Sequence, residues 1–126
     1  MSYTNTANLG IEPSEWLSKL DFYKNEIGIL KERLTEIVGK NSSLEARAGV
    51  EHFQNQFIIQ QNNIDEMRHS IHENAHHAFE DVKQHAGHVS IARVDENKKM
   101  EEEIKGFEKV MSDLRHEFNL YLTKWM

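Results

Sequence analysis

Cysteine is absent from the 126 residues. That excludes a disulfide framework, a thiolate metal site and a cysteine nucleophile, and it leaves the redox compartment unread. Proline occurs once and glycine six times, too little punctuation for a sheet of many short strands but suited to a few long helices. No apolar run approaches the roughly 20 residues needed to cross a bilayer. The opening MSYTNTANLGIEP has neither the basic end nor the apolar stretch of a secretory signal. The expected address is the cytoplasm, without a membrane partner. Positive charge is also short: 15 Lys and Arg stand against 21 Asp and Glu, a formal net charge of −6. Phosphate binding draws its affinity from clustered cations that release counterions, so nucleic acid is not an expected partner. Glycine-rich phosphate loops, G-x-S-x-G and H-E-x-x-H are missing too, and no enzymatic activity is expected.

What is present is helical periodicity. Hydrophobic residues make up 38% and charged residues 29% of the chain, with Leu, Ile, Glu and Lys at helical spacing. Pro13 suits a first helical turn, and Trp16, Leu20, Tyr23, Ile27, Leu30, Leu34 and Ile37 then recur at alternating spacings of four and three until Gly39. Ser42-Ser43-Leu44-Glu45 fits a capping box in which Ser42 accepts from the Glu45 amide. A second seam follows from Val50 through Phe53, Phe57, Gln60, Ile64, Met67, Ile71, Asn74 and Ala78, with no breaker before Gly87. A third runs through Ile104, Phe107, Met111, Leu114, Phe118, Tyr121 and Trp125, starting between Ser90 and Asp95, with Glu101 to Glu103 near its positive pole. The expected class is therefore all-α. Residues 1–11 read as a flexible arm, and 12–126 as one domain of three long amphipathic helices, about 13–38, 43–86 and 91–125. They form an antiparallel bundle or coiled coil.

Unequal length shapes that bundle. At ~1.5 Å per residue helix 1 spans roughly 37 Å and helix 2 about 60 Å, so helix 1 covers only residues 44 to about 70 of helix 2. An extended helix 2–helix 3 hairpin is left, weakly apolar, with Asn74, Asp81 and His85 on or near its seam. Phe22, Ile29, Ile58, Ile59, Leu120 and Leu122 fall off the seams. Either they broaden the buried stripe that a three-helix core needs, or they form the interface of a homodimer whose hairpins pair as a four-helix bundle. Trp16, Tyr23, Phe118, Tyr121 and Trp125 read as core and not as a cofactor pocket, with Trp16 and Trp125 expected to close the same end if helices 1 and 3 run parallel.

Histidine is the compositional exception: six of the eight lie between His69 and His88. On a helix His69, His72 and His76 share one stripe, extended by Asp65 and Glu80, and could hold Zn, Ni or Cu. A second set, His77, Asp81, His85 and His88, lies closer to the seam. Solvated surface is the plainer reading of both, and no cofactor is expected. A collective gain of charge near pH ~6 is a third option, given the ordinary imidazole value. Glu66-x-x-His69 and Glu73-x-x-His76 match the spacing of di-iron bundles, but Ile64, Met67 and Ile71 define the core and turn these ligands outward, as they do Asp113 and His116 about Leu114. Glu26 and Glu36 also leave the seam, so no inward carboxylate cage assembles.

The segments VEHFQNQFIIQQNNIDEMRH and GFEKVMSDLRHEFNLYLTKWM resemble those of small uncharacterised all-helical bacterial proteins. The resemblance covers about half the chain and implies a helical fold, with no functional residue to carry over. The function expected from the residues is a scaffold or adaptor role through self-association or a protein partner. The alternative is transition-metal binding by the histidine-rich hairpin.

Overall fold

The structure, a computed structural model, describes residues 3–5, 13–84 and 88–126. Three helices build it: α1 (Pro13–Lys40), α2 (Leu44–Gln84) and α3 (Ile91–Trp125). The expected all-α bundle is what forms, and each helix follows its 4–3 apolar series. Trp16, Leu20, Ile27, Leu30 and Leu34 of α1 are buried against Phe53, Phe57, Ile64, Met67 and Ile71 of α2 and Ile104, Phe107, Met111, Leu114 and Phe118 of α3, and Ile37 is buried further along α1. Burying each such side chain is worth ~1.5–3 kcal/mol, and this core is what holds the helices in place. The α2 stripe also contains one amide: Gln60 is buried, with its Oε1 accepting from Asn63 Nδ2 at 3.1 Å.

Cross-helix pairs fix the directions. Arg68 meets Asp21 at 2.6 Å and Lys31 donates to Gln61 at 2.7 Å, so α1 and α2 are antiparallel. His52 meets Glu117 at 2.9 Å, and Lys124 pairs with Glu45, so α2 and α3 are antiparallel as well. It follows that α1 and α3 run parallel: Lys19 reaches Glu108, while Asn41 at the end of α1 donates to the Trp125 carbonyl at 2.8 Å. Trp16 and Trp125 therefore occupy opposite ends of the bundle and do not close one end together, because parallel helices keep a start and a finish apart.

Several local expectations shift. α1 continues through Gly39 to Lys40 and ends where Asn41 N returns to the Ile37 carbonyl. The cap of α2 is Ser43 and not Ser42: its hydroxyl accepts from Ala46 N at 3.1 Å, and Glu45 turns to Lys124 in place of closing a capping box. α3 starts at Ile91 with no acidic residue in its first turn, which leaves Glu101 to Glu103 beyond the reach of its positive pole. Its buried stripe begins earlier than expected, with Val94, Asn97 and Met100.

Within the segment expected to be an arm, Tyr3–Asn5 forms strand β1, paired antiparallel with β2 (His88–Ser90). Tyr3 stands opposite Ser90, and Asn5 opposite His88. β2 in turn contacts both α2 and α3, so the pairing ties Tyr3–Asn5 to these two helices.

Candidate functional site

The first histidine stripe points to solvent. His69, His72 and His76 are exposed on α2, where His69 Nε2 lies 3.7 Å from Glu73 Oε2. Asp65 of the same stripe is exposed and Glu80 half-buried. Glu66, Glu73, Asp113 and His116 are likewise exposed, as the spacing about the seam implies. Among the described residues no group of three or more His, Asp or Glu side chains converges closely enough to hold a metal ion.

The second set is split. The side chains of His85 and His88 lie outside the described residues, while His77 faces Glu96 of α3 and Asp81 meets a partner that sequence spacing did not supply: Arg93 of α3. Its Nη1 lies 2.9 Å from Glu96 Oε1, and its Nε 3.8 Å from Asp81 Oδ2. A guanidinium already stands between the two carboxylates, where a metal reading would want a cation. His77 Nδ1 sits 3.8 Å from Glu96 Oε2, and both atoms, with Arg93 Nε, are buried without a hydrogen-bond partner.

The apolar candidates are placed more clearly. Phe22 is 59%, Ile29 58%, Ile58 50% and Ile59 47% exposed, so the reading in which they broaden the buried stripe fails for all four. It fails for Leu120 too, and only Leu122 packs against the core. The physical reason is that each helix here touches two neighbours along a narrow face, and a residue one step beyond that face stays wet. The four do not form one surface. Phe22 and Ile29 line a groove of about 560 Å³ between α1 and α3, floored by Leu30 and Leu122. Ile58 lines another of about 480 Å³ between α1 and α2, with Leu34 and Val38. Ile59 lines neither.

The α1–α3 groove carries charges that periodicity alone did not single out. Arg115 of α3 holds Glu26 through two hydrogen bonds, Nε to Oε2 at 3.0 Å and Nη2 to Oε1 at 2.7 Å. Glu26 is only 17% exposed at its side chain, and this fork-to-fork geometry fixes both groups. Glu26 keeps the Arg115 guanidinium protonated even beyond its ordinary range. Arg33 lines the same groove, and neither an ion pair nor a hydrogen bond engages its guanidinium among the described residues.

Two phenols beside these elements titrate late. Tyr23, which donates to Glu108 Oε2 at 3.0 Å, is raised above 10.0, first by burial and then by that carboxylate. Tyr121 is raised by burial. A phenol whose folded value exceeds its unfolded one contributes stability that is complete below the unfolded value, about 10, and is lost as pH rises through the folded value. Alkaline titration is expected to show phenolate absorbance at Tyr23 and Tyr121 lagging free tyrosine and rising together with loss of helicity. Ionisation of both at the free value, with helicity intact, would contradict the packing described.

Trp16 and Phe118 are fully within the core, and Tyr23 and Tyr121 pack on its edge. No described helix is long and apolar enough to cross a membrane. No protein-family model, curated protein or solved structure matches this chain.

Proposed function

We propose that the chain is a non-enzymatic helical bundle, acting in the cytoplasm as a scaffold or adaptor through association with a second copy of itself or a helix of another protein. The observation that carries this reading is the pair Phe22 and Ile29, more than half exposed and seven residues apart along one groove. Single exposed apolar residues are ordinary, but two large ones aligned with a groove between helices offer the anchors that an added helix uses. Sedimentation equilibrium of the wild-type chain is expected to show reversible self-association in the micromolar range. A charged residue at Phe22 should weaken that association while helicity is retained. A strict monomer at every concentration would overturn self-association.

A second reading keeps the histidine-rich hairpin as a Zn, Ni or Cu site. It is favoured by two buried potential ligand atoms without hydrogen-bond partners, His77 Nδ1 and Glu96 Oε2. It predicts about one equivalent of a single transition metal in untagged protein dialysed against a weak chelator, lost on His77→Ala. Trace or mixed metal by elemental mass spectrometry would remove it.

A further inference from the structure

The α1 wall of the α1–α3 groove has a charge pattern that is its own complement when reversed. Glu26 and Arg33 both line it, seven residues and about 10.5 Å apart along α1, with Ile29 and Leu30 midway between them. Glu26 is held in place by Arg115, whereas Arg33 has no charged partner among the described residues. A half-turn about an axis at Ile29 and Leu30 lays a second α1 antiparallel to the first. Each Arg33 then meets Glu26 of the second copy, and the two Ile29 side chains meet near the axis. Parallel pairing would set Glu26 beside Glu26 and Arg33 beside Arg33, which is repulsive. A two-fold axis is also the symmetry by which most dimers close.

We propose that this groove is covered by α1 of a second copy of this chain, antiparallel and centred at Ile29, with two reciprocal Glu26–Arg33 ion pairs across the axis. The inference rests on the self-association reading and names its surface. Phe22 of each copy then packs along the aliphatic part of Glu36 of the other. Each Glu26 gains a second cation beside Arg115.

The native chain has no cysteine, so Ile29→Cys gives a single thiol at the axis. Under mild oxidation it is expected to form a disulfide-linked dimer rapidly, while Glu66→Cys, exposed on α2, does not. Arg33→Glu, at an exposed position that supports no described contact, should weaken association ~30-fold or more by placing carboxylate against carboxylate. Glu26→Lys should weaken it similarly, and an equimolar mixture of these two variants should associate again, because each then offers the charge the other lacks. Circular dichroism checks that Glu26→Lys, which also loses Arg115, still folds; if it does not, Arg33→Glu and the cross-link decide alone. A wild-type chain that associates while Arg33→Glu associates equally and Ile29→Cys fails to cross-link would overturn this surface and leave self-association standing. A wild-type monomer would overturn both.

Discussion

Gly49→Ala is expected to lower stability by ~2–4 kcal/mol, although alanine is the better helix former by about 1 kcal/mol. An added Cβ would lie 2.2 Å from Tyr121 Cε2 and 2.7 Å from its Cζ. The ring cannot step aside cheaply. Its hydroxyl donates to the Ala46 carbonyl at 2.5 Å, and its ring is tilted against Phe53 with centroids 5.1 Å apart. Glycine at this position is what lets α2 and α3 approach closely enough for that hydrogen bond. The contrast is Gly106, in α3, where an added Cβ meets nothing within 4 Å. There the same substitution should stabilise by ~0.5–1 kcal/mol, through propensity and a less disordered unfolded chain. Urea denaturation of the two variants checks both signs, and a stabilised Gly49→Ala would mean that the α2–α3 spacing is wider than described.

Phe57→Ala should cost ~3–5 kcal/mol, the range for removing a large buried aromatic side chain. Phe57 is fully buried, edge-on to Phe118 with centroids 5.3 Å apart and tilted against Phe53 at 6.2 Å. Truncation removes its apolar contacts and one edge-to-face partner, and the long helices on either side leave little freedom for collapse into the void. A melting temperature lower by roughly 10–20 °C is expected, on the usual conversion for a domain of this size. A loss below about 1 kcal/mol would show that the aromatic cluster is loosely packed.

The helices were legible because their signal is redundant: α1 alone repeats seven apolar residues at 4–3 spacing, and any one could be misread without moving the helix. Boundaries rest on single residues and shifted for that reason, as when Ser43 took the cap expected of Ser42. The β1 strand was illegible because Tyr3–Asn5 lies in a polar segment with no alternation, and its partner His88–Ser90 is far along the chain. The candidate surface was half legible. Periodicity says that Phe22, Ile29, Ile58 and Ile59 leave the seam, but not which neighbouring helix flanks each, so residues from separate grooves were grouped together. The Glu26–Arg115 fork spans 89 positions of sequence, and nothing local announces it. Gly49 reads locally as a weak helix position; only Tyr121 across the interface gives it a role.

The buried amide of Gln60 bears on how faithfully the helices find their alignment. The apolar layers of α2 are nearly interchangeable, since Phe53, Phe57, Ile64, Met67 and Ile71 would fill a core almost as well if α2 slid by seven residues against α3. Gln60 breaks that degeneracy: here it is paired with Asn63 at the edge of the α2–α3 groove, beside Phe107 and Val110. Asn63 lies on the same helix and would travel with Gln60 in a slipped arrangement, but the amide N–H groups would leave this open groove for a layer of hydrocarbon, at a penalty of ~1–3 kcal/mol for an unmet polar group. A residue that contributes little to the depth of the native well thus raises its competitors, in the way one polar seam residue sets the register of a coiled coil.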